Sequence, residues 1–195
     1  MIVEIPLLAL NAVLFPGGTL QLRVSEARHL QLVTQVVAGR KSCGVVLVAL
    51  DGQKAGEPFA IGCTGKITYW AMEKPGVMQV TILGLQRFRT ITRWRHANGL
   101  LMAWVIPSRK MRNPVDQGFF TFCRRALHSL LEKEESSKKG HYLSYFDDPD
   151  WVSFRLAEKL PLDVGTHQYL LQIEDTERRL KALAMLARDR VLLEE

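Results

Sequence analysis

The sequence has few cysteines and no long apolar run, and both shortages exclude classes of protein. Three residues of 195 are cysteine (Cys43, Cys63 and Cys123), and no two of them form a Cys-x-x-Cys pair. An odd number of scattered cysteines argues against a disulfide framework and is typical of a reducing compartment. The sequence contains no apolar run of about 18 residues, so it predicts no membrane-spanning helix. We therefore expect a cytoplasmic protein in which each cysteine is a small buried hydrophobe.

Motifs for catalysis, nucleotide binding and metal binding are also missing. Gly65-Lys66 comes nearest to a phosphate-binding loop, but Ile67 follows where such a loop needs a hydroxyl side chain. Ser136 and Lys139 fit a Ser-x-x-Lys spacing, yet they lie in a charged stretch that would not lower the pKa of a lysine. The five histidines have no metal-binding spacing. We expect no catalytic residue, no cofactor and no metal.

Charge and composition change along the chain. Residues 1–115 contain 14 Lys and Arg against 5 Asp and Glu, whereas residues 116–195 contain 12 against 15. Two prolines and several basic residues between Pro107 and Pro114 indicate a connector. The length suits one large domain or two small ones. The predicted organisation is a β-rich subdomain over 1–108, a connector over 109–116 and a helical subdomain over 117–195.

The first part of the chain predicts mainly strands. The apolar run Val45 to Leu50 is typical of a strand that is buried on both faces. Turn residues at 73–76 and 97–99 lie between apolar segments, and each set predicts a hairpin. One helix interrupts the strands: Ser25 can cap it, and Gly39 can end it. Its predicted apolar face comprises Leu30, Val33 and Val37.

The second part predicts helices. Asp148 before Pro149 is a strong helix start, and Pro161 requires that helix to end by Leu160. Asp147, Asp148 and Asp150 could also hold a cation, but capping explains them with fewer assumptions. Two further helices have predicted apolar faces, at Phe119, Phe122, Ala126, Leu130 and Leu131, and at Leu180, Leu183, Ala184, Ala187 and Val191.

One strand is unusually basic. Period-two alternation places Arg87, Arg89, Arg93 and Arg95 on one face, with Phe88 and Trp94 on the other. Such a face could meet an anionic protein or the phosphates of a nucleic acid. A solvated outer face of an antiparallel sheet explains the pattern equally simply and is the favoured interpretation.

Three groups of residues, in the same order along most of the chain, resemble the amino-terminal domain of Lon-type proteases. The groups are Pro6-Leu7 with Phe15-Pro16-Gly17-Gly18, then Ile61-Gly62 with Gly84-Leu85-Gln86-Arg87-Phe88, then Asp147-Asp148-Pro149 with Pro161-Leu162 and Glu177-Arg178. The resemblance implies an α+β fold. The implied fold consists of a PUA-like β-rich subdomain, with antiparallel strands in a barrel-like sheet and one helix, followed by an α-helical bundle.

In that family this domain binds substrate proteins. The ATPase and protease parts of Lon do not come with the resemblance, which therefore implies a stand-alone, non-enzymatic module that binds proteins or peptides. It would serve as an adaptor or as a chaperone-like holder of unfolded or degron-bearing proteins. A protease acting in trans is a further expected partner, a homodimer is compatible with the family, and no membrane partner is expected.

Two sets of residues are candidates for the binding surface. Tryptophan and methionine suit adaptable contacts with apolar peptide segments, although core packing is the usual role of each. The candidate peptide-binding residues are Leu14, Phe15, Trp70, Met78 and Trp94. The alternative function is RNA binding, with a PUA-like fold and the arginine face of residues 87–95 as the binding surface.

Overall fold

The computed structural model describes residues 1–39, 41–51, 54–109, 114–133 and 145–191. The chain divides into two compact units, Met1–Arg109 and Lys110–Glu195, which we call the strand unit and the helix unit. Residues 110–113 of the predicted connector lie outside the described residues. The domain boundaries proposed from composition therefore stay a prediction.

The described residues of the strand unit form one six-stranded sheet and one helix. The elements are β1 (Val3–Leu10), β2 (Thr19–Val24), α1 (Ala27–Gly39), β3 (Cys43–Asp51), β4 (Lys54–Lys74), β5 (Val77–Arg95) and β6 (Leu101–Pro107). The strand order is β2-β5-β4-β3-β1-β6, and β6 also pairs with β5. Five strands therefore pair in a closed ring, and β2 is added at the first half of β5.

The α+β prediction is confirmed, but the sheet is not a regular barrel. β1 and β3 run parallel, whereas the prediction named antiparallel strands. β5 is long enough to pair with β2 near its start and with β6 near its end, and bulges interrupt its register. A bulge adds a residue to one strand, bends it and increases its twist, so the ring departs from regular barrel geometry.

Both predicted hairpins are present. β4 and β5 pair antiparallel up to Lys74 and Val77, and β5 and β6 pair antiparallel up to Arg95 and Leu101. The predicted doubly buried strand is also confirmed in β3, where four consecutive residues are buried. These residues are Val45, Val46, Leu47 and Val48.

The sheet buries apolar side chains on both faces. One face packs against α1 through Leu32, Val33 and Val36, and we call this cluster the helix-side core. The opposite face, inside the ring, holds a smaller cluster that we call the ring core. It consists of Ile5, Leu7, Val46, Phe88, Ala103 and Val105. Because side chains alternate along a strand, neighbouring residues such as Leu7 and Leu8 belong to different clusters.

The described residues of the helix unit form four helices. They are α2 (Gln117–Lys133), α3 (Pro149–Lys159), α4 (Val164–Gln172) and α5 (Thr176–Val191). Asp148 caps α3 by accepting hydrogen bonds from two backbone N–H groups, and α3 ends before Leu160, as predicted. α4 lies where the sequence pattern predicts no helix, and Asp163 caps it.

The predicted apolar face is correct for α5 and wrong for α2. In α5, Leu180, Leu183, Ala184 and Ala187 are buried, while the side chain of Val191 lies outside the described part. In α2 the buried residues are instead Phe120, Cys123 and Leu127. The predicted residues of α2 flank this stripe and are half-buried. Two adjacent stripes share the same helical period, so spacing alone could not choose between them.

A buried arginine joins three elements of the helix unit. Arg179 in α5 donates from Nε to Oγ of Ser153 at 2.8 Å and from a terminal nitrogen to the carbonyl oxygen of Ile173 at 2.7 Å. It also pairs with the carboxylate of Asp150, and its guanidinium lies 3.8 Å from the ring centroid of Phe154. These bonds satisfy a charge that would otherwise be costly to bury.

No helix of the described ranges has the length and apolar character needed to cross a membrane.

Candidate functional site

The Phe15-Pro16-Gly17-Gly18 turn and the Gly84 segment, which are far apart in sequence, meet in the strand unit. The N–H of Gly17 donates to the carbonyl oxygen of Gly84, and the N–H of Gly84 donates to that of Gly18, each at 2.8 Å. A Cβ at position 84 would lie 2.1 Å from the carbonyl oxygen of Phe15, so only glycine fits there. These two motifs therefore fix each other's backbone position and have a structural role.

Three of the predicted peptide-binding residues are buried. Leu14 and Phe15 are buried beside the turn, and Met78 is buried in the helix-side core. Apolar side chains next to a tight backbone contact pack inward, where they exclude water from its hydrogen bonds. Of the five candidates, only Trp70 and Trp94 retain exposed surface.

Trp70 lies on a part of β4 that has a strand on one side only. The pairing of β3 with β4 stops at Cys43 and Gly65, whereas β4 continues to Lys74 alongside β5. We call Lys66–Lys74 the β4 extension. Among the described residues, no strand pairs with its second edge. Unpaired backbone groups on such an edge can accept another strand.

Large apolar side chains are exposed along this extension. Tyr69, Trp70 and Met72 are 52%, 53% and 59% exposed. Trp70 pairs with Val80, and Met72 pairs with Met78, so both project from the face that carries the helix-side core. The core surface therefore continues into exposed side chains at the β4 extension. Tyr69 was missed as a site residue, although an aromatic pair in a strand next to a hairpin is a usable signal.

Trp94 lies elsewhere. It is half-buried near the far end of β5, and its ring centroid is 5.9 Å from that of Trp104 in β6. Trp104 and Ile106 are exposed on the same face of β6. Because Trp70 pairs near the start of β5 and Trp94 lies near its end, the structure does not bring the two tryptophans together.

The prediction that four arginines share one face is wrong. β5 has an extra residue, Ile91, between its pairings at Thr90 and Thr92, and this bulge lies between Arg89 and Arg93. A bulge reverses the alternation, so Arg87 pairs with Cys63 of the helix-side core, whereas Arg93 pairs with Ala103 of the ring core.

The four arginines also differ in exposure. Arg87 is only 6% exposed, and Arg93 is half-buried, donating to the carbonyl oxygen of Pro58 and lying 3.5 Å from the Glu57 carboxylate. Arg89 and Arg95 are exposed. The four side chains therefore do not form the continuous face that a nucleic-acid backbone would need.

Arg93 and Arg95 instead line a cavity of about 530 Å³ at one end of the ring. Arg28 and His29 from α1 share this ring-end cavity, together with the acidic Glu26 and Glu57. Glu26 pairs with Arg28 and lies 3.8 Å from Nδ1 of His29. Burial lowers the pKa of His29, and this effect outweighs the attraction of Glu26.

The described residues show neither clustered metal ligands nor an exposed cysteine. Among them, no group of three or more His, Cys, Asp or Glu side chains is placed to hold a metal ion. All three cysteines are buried and free, as expected. Burial raises the pKa of the Cys43 and Cys123 thiols to about 12, so neither forms a thiolate at neutral pH.

The geometry thus defines a two-part α+β protein with an exposed apolar strand surface. The family model of the ATP-dependent protease La (LON) substrate-binding domain matches residues 4–189, and the chain belongs to this family. The match confirms the resemblance predicted from the three groups of residues, and it is to the substrate-binding domain of that protease.

Two solved structures are similar to nearly the whole chain. A Lon N-terminal domain protein from Xanthomonas campestris is 32% identical, with a TM-score of 0.73, covering 93% of this chain and 96% of its own. The N-terminal domain of the Mycobacterium avium complex Lon protease shares the fold at 14% identity, with a TM-score of 0.71, covering 95% of this chain and 98% of its own. Among proteins with curated descriptions, none matches this chain.

Proposed function

We propose that the protein binds extended polypeptide segments at the β4 extension. The observation that carries the proposal is the overhang of β4 beyond β3, which leaves one strand edge open beside Tyr69, Trp70 and Met72. Membership of a substrate-binding domain family supports protein segments as the ligand class.

The mechanism follows from the geometry of an open edge. An incoming segment adopts the strand conformation and exchanges main-chain hydrogen bonds with the free edge of Lys66–Lys74. Those bonds do not depend on sequence, so they suit many substrates. Trp70 and Met72 then add apolar contact on one face, and Tyr69 adds it on the other.

Binding of this kind favours unfolded chains. A folded protein has already paired its strands, whereas an unfolded segment has free backbone groups and exposed apolar side chains. Because ordering a flexible segment offsets much of the contact energy, the affinity is weak to moderate. The protein would act as a non-enzymatic adaptor or chaperone-like holder in the cytoplasm, with a protease in trans as one recipient of the bound chain.

The test measures binding of a permanently unfolded, carboxymethylated polypeptide by fluorescence anisotropy. Replacing Trp70 by serine removes the central contact, and we expect affinity to fall about tenfold, as for an aromatic residue central to an interface. Met72→Ser should weaken binding less. Met185→Ser is the matched control, because Met185 is an exposed methionine in the helix unit, 68% exposed against 59% for Met72.

Two results would reject the proposal. One is an equal effect of Met72→Ser and Met185→Ser, which would show that exposed methionines matter wherever they lie. The other is no binding of any unfolded polypeptide at micromolar concentration. The salt dependence of the measured affinity distinguishes peptide binding from the RNA alternative. Apolar contacts persist at high salt, whereas binding to phosphates falls steeply as the salt concentration rises.

A further inference from the structure

We propose that the ring-end cavity binds a single carboxylate carried on an apolar body. The cavity lies at the ends of β1 and β5, whereas the β4 extension lies beside the start of β5. The inference therefore stands on other residues than the proposed peptide-binding edge and goes beyond it.

Among the described residues that line the cavity, the arginines outnumber the carboxylates by one. Glu26 pairs with Arg28, and Glu57 pairs with Arg93. Arg95 also lines the cavity, and no carboxylate among the described residues pairs with it. A guanidinium binds a carboxylate through two parallel hydrogen bonds, so one carboxylate would complete the set.

The paired guanidinium of Arg93 keeps the neighbouring wall in place. It donates to the carbonyl oxygen of Pro58, which ties the end of β5 to the start of β4. Arg93 is thus already used by the protein, while Arg95 two residues later is exposed and available. This division of roles limits the site to one anionic group.

Apolar side chains form much of the remaining wall, together with the polar Asn11 and His29. The cavity is lined by Leu7, Ala9, Leu10, Val48, Trp94 and Leu101. Its volume of about 530 Å³ lies within the range of small-ligand sites. A dianion such as inorganic phosphate would leave one charge uncompensated and would not contact these walls. An aliphatic or aromatic group with one carboxylate would pair with Arg95 and also contact the apolar side chains of the cavity.

Two sources carry this chemistry: the C-terminal residue of a polypeptide with an apolar side chain, and a free short carboxylic acid. The experiment separates them with three probes. They are a dye-labelled hexapeptide that ends in leucine with a free carboxylate, the same peptide as its C-terminal amide, and hexanoate as an unlabelled competitor.

We expect the free-acid peptide to bind about tenfold more tightly than its amide, because only the acid offers Arg95 a negative charge and two acceptor oxygens. Arg95→Gln should remove that difference. Arg95→Lys should retain part of it, because it keeps the charge but loses the paired hydrogen bonds. The matched control is Arg89→Gln, which alters another exposed arginine of β5 and should retain the full difference.

Each result of this experiment either supports or rejects the proposed carboxylate site. Preference for the acid peptide assigns the polypeptide C-terminus as the source. Arg95-dependent binding of hexanoate, detected by calorimetry, with no peptide binding assigns the free acid. Equal binding of acid and amide, equal effects of Arg95→Gln and Arg89→Gln, or no binding of any probe at millimolar concentration overturns the proposal.

Discussion

The strand unit and the helix unit position their side chains by different means. In the strand unit, backbone contacts decide the arrangement. Bulges turn side chains from one face of β5 to the other, and Gly84 lies in close contact with the backbone of the Phe15 turn. In the helix unit, a single charged side chain, Arg179, joins α5 to α3 and to the end of α4. We therefore expect the strand unit to lose stability when atoms are added at a close backbone contact. We expect the helix unit to lose stability when a buried charged partner is removed.

The largest expected effect comes from removing that partner. Arg179→Met removes the charged donor of the Asp150 carboxylate and the donor to the Ser153 hydroxyl oxygen, while the Thr176 hydroxyl still donates to Asp150. Breaking a buried pair by removing one member costs about 3–5 kcal/mol. Hydrogen exchange read separately for each unit should show the largest loss of protection in α3 and α5, with the strands of the other unit followed in the same experiment.

The neighbouring arginine provides the control for this experiment. Arg178 is exposed on the same turn of α5, so Arg178→Met should change the free energy of unfolding by less than about 0.5 kcal/mol. If both variants lose equal protection, the buried network is not what stabilises the helix unit.

An intermediate effect is expected in the strand unit from one added methyl group. Gly84→Ala forces the Phe15 turn away, because the new Cβ would lie 2.1 Å from a backbone oxygen. Overpacking of this kind costs about 1–3 kcal/mol. Urea denaturation should show a lower midpoint for Gly84→Ala than for Gly39→Ala, where a Cβ meets only the flexible Lys41 side chain at 3.4 Å. Equal midpoints would show that the turn adapts freely.

The smallest effect is a pH dependence in the strand unit. Burial lowers the pKa of His29 below its ordinary value of 6.5, despite Glu26, while Arg28 lowers it further. Between the folded and unfolded pKa values, the unfolded chain binds more protons. Stability should therefore be complete above the unfolded pKa and fall as pH drops through and below it. The midpoint of urea denaturation, followed from pH 7.5 to 5 (assay settings), should fall less in His29→Gln; an identical fall would contradict this account.

Much of the helix unit could be predicted because its signals are local. Asp148 followed by Pro149 marks a helix start through chemistry within one turn, and the structure places both as predicted. The apolar period of α5 is also read within a few residues. The buried stripe of α2 could not be chosen, since two neighbouring stripes repeat equally and only the packed neighbours distinguish them.

The candidate sites were predicted less well than the fold. Trp70 is a candidate because of its residue type, but the open edge beside it depends on where β3 stops, which no pattern within β4 reveals. Phe15 carries part of the family resemblance, yet it and Leu14 are core residues. Arg95 was predicted to share a face with Arg87, but a bulge after Thr90 turns it to the other face of β5, where it lines the cavity.

By itself, the sequence determined the α+β class, the two hairpins, the start of α3, the apolar face of α5 and the family, since these depend on short-range chemistry and on motif order. Only the tertiary structure decided which face each arginine of β5 occupies, which apolar residues stay exposed and where the cavity lies. Those features depend on strand register and on bulges, and register is set by contacts between segments far apart in the chain.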